Sequence, residues 1–462
     1  RTPRREHRRF SVPGESHSDG ISAVRILSIT AGAANMYCGS CLRDNTLAAE
    51  LIARGHQVLL LPLYTPTLTD ERNVSDGHVF YGGISVYLQQ LLPLFRKTPH
   101  FLDRLWDAPS VIRAAAGRTV SVNPAQLGAL TISVLQGENG HQRKELHKLI
   151  AWLRTQPLPD LVVLPNSLLI GLAAPLRAAL GRPVCCTLQG EDLFLEALSP
   201  AQRDTALDLI RKCTNDVDRF LPVSEYYLDF MSDYLEVPQD RFDVLPLGIN
   251  FDGYPECDAT SSTRSVPFTV GYLARVAPEK GLHLLAEAYR RLREHLGVTD
   301  ARLEVAGYLA PQHRSYLAEV EQHLAEWGLG REFTYRGVLN RDEKIEFLST
   351  LDVLSVPSTY PDPKGIFVLE AMASGVPVVQ PGHGAFPEIL ECTGGGITFE
   401  PNRSDLLADE LAALYCQPER MEQLRKQGAY GVRKHYSVSR MADRAVELYG
   451  QIIASAGQAA VS

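Results

Sequence analysis

The stretch Tyr360-Pro-Asp-Pro-Lys-Gly-Ile-Phe-Val-Leu-Glu-Ala-Met-Ala-Ser-Gly-Val-Pro-Val-Val379 predicts a loop, a helix and a strand in quick succession. Gly365 stands where the loop should become a helix, and Gly375 followed by Pro377 is a typical helix stop. The apolar residues after Pro377 predict a buried strand. This order of elements leaves free backbone N–H groups at a helix N-terminus, directly after a turn.

The same stretch holds two carboxylates, Asp362 and Glu370, separated by seven residues. A helix N-terminus attracts phosphate, because its free N–H groups and the helix dipole both favour negative charge. A carboxylate beside a bound phosphate can accept hydrogen bonds from sugar hydroxyls. The stretch therefore predicts a binding site for a sugar nucleotide, and we call residues 358–365 the carboxylate loop.

Four segments carry a resemblance to a known family. Residues 362–370 resemble the E-x7-E segment of retaining GT-B glycosyltransferases of the GT4 type, with Asp362 in place of the first glutamate. Residues 271–281 are similar to the family's G-R-x4-K-G phosphate-binding segment, and 246–250 to the P-N-G-[IV]-D segment that closes its first domain. Residues 352–358 resemble the strand before the carboxylate loop. The resemblance covers roughly the C-terminal half and implies two Rossmann-like domains facing a cleft.

Two series of apolar strands alternate with helical segments, which predicts an α/β fold with two parallel sheets. The predicted strands are 24–29, 57–63, 161–164, 184–188, 220–223 and 243–246 in the first series, and 268–273, 302–306, 333–337, 353–357 and 376–380 in the second. A polar break near 258–264 predicts the domain boundary. The expected parts are a mobile basic tail (1–22), an acceptor-side domain (23–257), a nucleotide-sugar domain (266–436) and a C-terminal helix (437–462) that in the family crosses back to the first domain.

The region between residues 66 and 139 is less regular. A long helical stretch is expected through Arg104 and Ile112. Gly82 and Gly83, with Tyr81 and Tyr87, could form the floor of an acceptor site, although an ordinary turn with core aromatics is slightly favoured. Two further segments, 137–140 and 165–167, are expected to end β-elements and could line the cleft.

Composition narrows the class of protein. A net charge of −8 with 45% apolar and 22% charged residues is ordinary for a globular protein and argues against a general nucleic-acid binder. No apolar run is long enough to span a membrane. The eight cysteines are too scattered for a disulfide scaffold. We expect a cytoplasmic location, and the arginines of residues 1–22 leave peripheral contact with anionic lipid open.

Arg275 and Lys280 follow the first strand of the second series, where both could reach a diphosphate. The alternative is a pair of solvated charges at a helix N-terminus, which is an unfavourable place for cations unless an anion lies between them. Without a ligand the two cations would repel each other, so we expect that removing either one changes folding little and could even stabilise the unliganded protein.

The resemblance implies roles for further residues. Glu370 would bind the nucleotide ribose, and Asp362, one methylene shorter than glutamate, would face the donor sugar. The N–H groups near Ile366 and Phe367, in the helix that Gly365 opens, would assist with the diphosphate. Gly39 falls in the family's glycine-rich turn, and Glu388 stands where a glutamate helps to frame the nucleotide pocket. The predicted donor-binding residues are therefore Glu370, Gly365, Ile366, Phe367, Gly39 and Glu388.

Gln189 is the main departure from the family, which often has histidine at this place beside the reacting sugar. Glutamine cannot act as a general base, but it can hydrogen-bond a hydroxyl or support an oxocarbenium-like centre. Glu191 or Asp192 could substitute as a base, and a loop-capping role for them is about equally favoured. Catalytic roles are therefore predicted for Arg275, Lys280, Asp362 and Gln189.

Cys38-Gly-Ser-Cys41 invites a zinc or redox interpretation. A zinc site needs two further ligands, and the chain has no second C-x2-C. The rest of a thioredoxin-like unit is also missing, so we expect no metal and a tight turn at Gly39. Cys41, near a helix N-terminus, could have a lowered thiol pKa.

The predicted function is retaining transfer of a sugar from a nucleoside diphosphate sugar to a sugar, lipid or small-molecule acceptor, without metal or other cofactor. A GT-B epimerase or hydrolase and a non-catalytic sugar-nucleotide-binding module remain alternatives. A two-Rossmann dehydrogenase is disfavoured, because residues 32–39 lack G-x-G-x-x-G.

Overall fold

The computed structural model describes residues 23–32, 38–81, 124–256 and 267–459. The expectations for the N-terminal tail, for Gly82, Gly83 and Tyr87, and for the helical stretch through Arg104 and Ile112 lie outside these ranges. So does most of the polar break at the predicted boundary.

Two parallel sheets organise the described chain. The first has five strands in the order β2-β1-β3-β4-β5, and the second has six in the order β11-β10-β9-β6-β7-β8. The strands are β1 (Arg25–Thr30), β2 (Gln57–Pro62), β3 (Leu161–Leu164), β4 (Val184–Leu188), β5 (Arg219–Pro222), β6 (Phe268–Leu273), β7 (Ala301–Ala306), β8 (Phe333–Tyr335), β9 (Val353–Leu354), β10 (Val378–Pro381) and β11 (Gly396–Phe399).

Helices connect the strands, as right-handed parallel crossovers require. In the first unit they are α1 (Gly39–Ala53), α2 (Pro124–Leu135), α3 (Arg143–Leu153), α4 (Ala173–Leu180), α5 (Asp192–Glu196), α6 (Pro200–Cys213) and α7 (Glu225–Leu235). In the second they are α8 (Leu282–Glu294), α9 (Arg314–Glu326), α10 (Arg341–Ser349), α11 (Ile366–Ala373), α12 (Phe386–Thr393), α13 (Ser404–Cys416) and α14 (Pro418–His435), and the last helix is α15 (Val438–Ala459).

The strands of the first sheet are buried on both faces, which explains their continuous apolar sequence. In β4, Cys186 packs into one core and its neighbour Cys185 into another, because successive side chains of a strand point to opposite faces. The second of these cores includes Met441, Ala445 and Leu448 of α15. The last helix therefore lies on the first sheet, although α14, just before it, packs in the second unit.

Two expectations about secondary structure are wrong. Residues 243–246 form no strand: the backbone N–H groups of Asp243 and Leu245 donate to Phe220 and Pro222, but no continuous ladder follows. Residues Gly137–Asn139 form a 3-10 helix after α2 rather than the end of a β-element. In both places a proline or glycine at the edge of an apolar run produced a misleading strand pattern.

In each sheet the chain adds strands first on one side of the starting strand and then on the other side, and the change of side is a topological switch point. In the first sheet it lies between β1 and β3, and in the second between β6 and β9. Ligands of open parallel sheets bind at the carboxyl ends of the strands beside such a switch point. The loops after β1, β6 and β9 are therefore the places where a site is expected.

Candidate functional site

Lys280 and Asp362 come together because β6 and β9 are neighbours at the switch point. Lys280 follows β6 and Asp362 follows β9, and the two positions are 82 residues apart in sequence. Lys280 Nζ donates to Asp362 Oδ2 at 2.5 Å and to the Tyr360 hydroxyl at 3.1 Å. The ammonium also lies 4.8 Å from the centre of the Tyr360 ring. Topology thus builds a charged centre at the carboxyl edge of the second sheet.

This ion pair is buried: Lys280 is 8% exposed and Asp362 is 3% exposed. Burial alone would raise the pKa of Asp362, but the charge and hydrogen bond of Lys280, with a further bond from the Lys364 N–H, bring it below its ordinary value. Asp362 is therefore ionised at neutral pH. The two cations were expected to repel each other in the empty site, and for Lys280 this expectation is wrong, because a carboxylate neutralises it.

Arg275 occupies a different environment from Lys280. Its side chain is 39% exposed, and Nη2 donates to Glu279 Oε1 at 3.0 Å. Both cations face Tyr360: the charge of Arg275 lowers the pKa of that hydroxyl, although burial raises it overall. One cation is thus fixed and buried, and the other stands at the rim of the same centre.

Two glycines shape the loops that carry these charges. Gly281 has a φ of +72°, and a Cβ there would come within 1.9 Å of the Pro357 carbonyl oxygen. Gly365 has a φ of +67°, and a Cβ there would come within 3.1 Å of Phe386. Only glycine adopts these left-handed conformations without strain at such close approach. Gly365 turns the carboxylate loop into α11, so that the first N–H groups of α11, those of Ile366 and Phe367, lie at its start.

Glu370 lies in α11 and is 7% exposed. Its Oε1 accepts a hydrogen bond at 2.5 Å from Lys344 Nζ, which also donates to Asp70 of the first unit at 2.6 Å. These charges raise the pKa of Lys344 although burial acts to lower it. The acid expected to bind ribose is thus held in place by a buried lysine that joins both units.

A small cleft opens beside Glu370. It is lined by residues of both units. Arg341 spans it, donating to Glu71 Oε1 at 2.9 Å and to the carbonyl oxygens of Asn250 and Asp252. Glu71 in turn accepts a bond from the Thr46 hydroxyl at 2.7 Å. Charged residues therefore connect the two units around this cleft.

The sequence did not predict four of the charged residues around this cleft, namely Lys344, Asp70, Arg341 and Glu71. The capping box of α10, Asn340 with Glu343, is a sequence signature that could have located the start of the helix that carries Arg341 and Lys344. No spacing rule, however, could have paired Lys344 with an aspartate 274 residues away.

Gln189 is 3% exposed and engaged within the first unit. Its Nε2 donates to the Pro165 carbonyl oxygen at 2.8 Å and approaches Asp44 Oδ1 at 3.4 Å. Its Oε1 is buried without a hydrogen-bond partner among the described residues. A Cβ at the next residue, Gly190, would lie 3.1 Å from Pro363, so this turn packs against the carboxylate loop.

The two acids after Gln189 have distinct tasks. Glu191 accepts the N–H groups of Ser167 and Gln189, both at 2.8 Å, and so caps the loop. Burial raises the pKa of Glu191. Asp192 accepts from the Tyr227 hydroxyl at 2.7 Å, and its pKa is raised by burial and by the negative charge of Asp362 across the cleft.

The segment Cys38–Cys41 faces the carboxylate loop from the first unit. Lys364 Nζ donates to the Ser40 hydroxyl at 2.7 Å, and a Cβ at Gly39 would lie 3.2 Å from Ile366 Cδ1. The expected lowered pKa of Cys41 is wrong. Hydrogen bonding to Cys38 and burial raise the pKa of Cys41, and it is the pKa of Cys38 that is lowered, chiefly by the bond from Cys41.

Glu388 makes a contact between the units. Its Oε2 accepts the N–H of Tyr226 at the start of α7 at 3.0 Å, and burial raises its pKa to about 7. Nearby, the Ser224 hydroxyl donates to the Pro363 carbonyl oxygen at 3.0 Å. Glu388 therefore positions one unit against the other, and its predicted part in framing a nucleotide pocket stays a prediction.

Within residues 23–32, 38–81, 124–256 and 267–459, no group of three or more His, Cys, Asp or Glu side chains is arranged to hold a metal ion. None of the helices in these ranges is both long and apolar enough to cross a membrane.

The chain matches two known families, and each match covers one of the two units. The family described as Glycosyl transferases group 1 matches residues 258–430, and the Glycosyl transferase 4-like domain matches residues 45–248. The putative colanic acid biosynthesis glycosyltransferase WcaL of Escherichia coli is 29% identical over 201 residues, which are 42% of this chain and 47% of that protein. The MMP alpha-(1->4)-mannosyltransferase of Mycolicibacterium hassiacum is 24% identical over 54% of this chain and 57% of its own length.

The chain spans between a third and about half the length of the first curated relatives that it matches. Among solved structures, HepE of Anabaena in complex with UDP and glucose is similar, with a TM-score of 0.64 at 17% identity. The alignment covers 93% of this chain and all of that one. At this identity the likeness shows the fold alone.

Proposed function

Since the chain belongs to the group 1 glycosyl transferases and has their GT-B fold, we propose that it transfers a sugar from a nucleoside diphosphate sugar to an acceptor, with retention at the anomeric carbon. The second unit would bind the donor and the first would face the acceptor. WcaL and the mannosyltransferase are named for sugar transfer, and HepE is named with UDP and glucose, which supports the same chemistry for this chain.

One observation carries this proposal, namely the position of Lys280 at the switch point beside the start of α11. A lysine ammonium has three donors. Two of them meet Asp362 and Tyr360 in the structure, which leaves one for an oxygen of a diphosphate. The N-terminus of α11 and the half-exposed Arg275 add positive potential at the same edge. This combination would stabilise the charge that develops on a leaving nucleoside diphosphate.

The remaining residues take roles around that group. Asp362 would fix the direction of Lys280 and face the donor sugar, and Glu370, held by Lys344, would accept hydrogen bonds from the ribose. Gln189 would support the reacting ring through the turn that packs on Pro363. The leaving diphosphate itself would deprotonate the acceptor, and two cations with a helix dipole would take the place of a metal.

Binding and turnover test this proposal separately. Thermal-shift screening against UDP, GDP and ADP should identify one nucleotide that stabilises the protein, since a ligand at 100 times its Kd adds about 2.7 kcal/mol. The sugar nucleotide of that base should then be turned over only when acceptor is present, and the anomeric configuration of the product, read by NMR, should match that of the donor. An inverted product would contradict retention. Release of free sugar or an epimer without acceptor would instead indicate a hydrolase or an epimerase.

A further inference from the structure

Cys38 and Cys41 lie together at the start of α1. Cys38 is the residue before the helix, with an extended backbone at φ −110° and ψ 121°, and Cys41 is in the first turn. Residues three apart at a helix start lie on the same side, so the two thiols lie on one side of this first turn, and each acts on the pKa of the other. The pair is therefore placed for direct sulfur chemistry.

The other described cysteines are placed differently. Cys185 and Cys186 are fully buried in β4, where burial raises their thiol pKa values. Cys392 and Cys416 are exposed and belong to separate helices, α12 and α13. Cys213 is partly buried at the end of α6. The CxxC pair differs from all of these in having a second thiol on the same side of a helix start.

The two thiols of the pair share their protons unequally. A hydrogen bond from Cys41 and the positive charge of Lys364 both lower the pKa of Cys38, and together they outweigh its burial. The same bond raises the pKa of Cys41. Cys38 is therefore the thiolate that attacks an oxidant, and Cys41 is the thiol that can resolve the product.

We propose that Cys38 and Cys41 form a reversible disulfide with hydroperoxides as the oxidant, which makes the first turn of α1 an oxidation site facing the carboxylate loop. The Cys38 thiolate attacks the O–O bond, takes one oxygen as sulfenic acid, and releases the other as hydroxide or alkoxide. Cys41 sulfur then attacks the sulfenic sulfur: an S–S bond forms, the S–O bond breaks, and water leaves with the Cys41 proton. The peroxide is reduced by two electrons, and a cellular dithiol restores both thiols.

Oxidation of the two thiols would change the charge that faces the carboxylate loop. Lys364 faces the Cys38 thiolate and donates to Ser40 between the two cysteines. The disulfide carries no charge, so Lys364 would lose its negative partner at Cys38 and keep the Ser40 hydroxyl and its charge interaction with Asp362. Because Gly39 lies against Ile366 at the start of α11, this change occurs at the edge of the donor site. The proposal itself concerns the thiols and does not depend on glycosyl transfer.

Mass spectrometry of the full chain tests the disulfide. Trypsin cleavage after Arg25 and Arg43 places both cysteines in one peptide, 26–43. After treatment with a small excess of hydrogen peroxide, this peptide should lose the mass of two hydrogens and regain it with dithiothreitol. A Cys392→Ser/Cys416→Ser variant, which lacks the two exposed cysteines of the described residues, should behave in the same way. If peptide 26–43 keeps two alkylatable thiols while Cys392 or Cys416 is oxidised, the proposal is wrong.

Three further variants identify the attacking sulfur without relying on the buried Cys41 alone. In Cys41→Ser, peroxide should produce a sulfenic acid on Cys38 that dimedone traps, whereas in Cys38→Ser dimedone should label Cys41 far less. In Lys364→Met, the pH of half-maximal alkylation of Cys38 by iodoacetamide should move upward. Equal dimedone labelling of Cys38 in Cys41→Ser and of Cys41 in Cys38→Ser would overturn the assignment of Cys38 as the thiolate. An unchanged alkylation profile in Lys364→Met would also overturn it.

Discussion

Lys280 Nζ lies 2.5 Å from Asp362 Oδ2, and both residues are more than nine-tenths buried. The pair joins the loop after β6 to the loop after β9, so it fixes the carboxylate loop against the second sheet. In sequence, Lys280 and Asp362 belong to two separate segments that each resemble a part of a donor site. In the structure they form one ion pair. The stability of the site and its chemistry depend on the same contact.

Replacing Lys280 with methionine should destabilise the protein. Removing one partner of a buried ion pair leaves the other charge buried and uncompensated, which costs about 3–5 kcal/mol. Urea unfolding at neutral pH measures this loss. The matched control is Lys426→Met, because Lys426 pairs with Glu422 at the surface with 68% of its side chain exposed, and exposed pairs contribute about 0–1 kcal/mol.

The loss in Lys280→Met should also depend on pH. The pKa of Asp362 lies below its ordinary value in the folded protein, so its pairing stabilises above that value and is lost as the pH falls through the lowered pKa. The difference in unfolding free energy between wild type and variant should therefore shrink in acid. A difference that stays constant from neutral pH to strong acid would show that Lys280 acts by packing alone.

Arg275 and Lys280 should both contribute to diphosphate binding. Lys280 should also contribute to the stability of the fold, whereas Arg275 should not. A charge-assisted hydrogen bond contributes about 1.5–3 kcal/mol, so each alanine variant should lose roughly 10- to 100-fold in kcat/KM. The losses should not add, because the residues share one partner. Arg275→Ala should keep wild-type stability, since its side chain is 39% exposed and its partner Glu279 remains solvated. Nucleoside diphosphate affinity by calorimetry is the direct measurement.

The control for Arg275 is Arg403→Ala in the same unit, where the arginine pairs with Asp405 at the surface. This variant should bind nucleoside diphosphate as the wild type does. Normal diphosphate binding in both Arg275→Ala and Lys280→Ala would remove the main physical support for the proposed donor site.

Glu370→Gln should weaken nucleotide binding through the ribose. A carboxylate accepts hydroxyl hydrogen bonds more strongly than an amide does, so we expect about tenfold weaker binding of the nucleoside diphosphate. The informative comparison uses the 2′- and 3′-deoxy forms of the same nucleotide. Removal of the contacted hydroxyl should weaken binding to wild type but make little further difference to Glu370→Gln. Equal sensitivity of both proteins would place the ribose elsewhere.

The contribution of Glu388 to the free energy of unfolding should fall as the pH rises from 5 to 7.5. Burial raises its folded pKa to about 7 from an ordinary 4.5, so the folded state binds more protons than the unfolded chain in this range. Its contribution is complete below the unfolded pKa and is lost as the pH rises through 7. At about 1.4 kcal/mol per pKa unit, the change from 4.5 to about 7 corresponds to about 3 kcal/mol in full, of which roughly 2 kcal/mol falls between pH 5 and pH 7.5.

Glu388→Gln is the test variant, because its amide oxygen can still accept the Tyr226 N–H. Unfolding free energies measured across the range should lose this part of the pH dependence while the value at pH 5 changes little. If wild type and variant show parallel curves, Glu388 does not titrate between pH 5 and pH 7.5.

The purified protein should carry no stoichiometric zinc, and chelators should leave sugar transfer intact. The physical reason is that Arg275, Lys280 and the start of α11 supply positive charge where a metal would otherwise be needed. Metal analysis and activity after EDTA treatment measure this. Zinc near one equivalent that disappears in Cys38→Ser would contradict it.

The sequence by itself determined the family and the fold. The resemblance of the four C-terminal segments to GT4-type enzymes is confirmed by the family matches, and the two parallel sheets are confirmed by the structure. These features could be predicted because they are local: a glycine at a helix start, an apolar run and a fixed spacing between two carboxylates each act over a few residues.

Only the tertiary structure decided how the charges pair. Asp362 holds Lys280 from 82 residues away, and Lys344 connects Glu370 with Asp70 of the other unit. The pKa of Cys38 rather than Cys41 is lowered, because Cys41 in the same turn and the charge of Lys364 across the cleft both act on it. Such pairings depend on which strands become neighbours and on which groups lose their water, and neither follows from the spacing of residues along the chain.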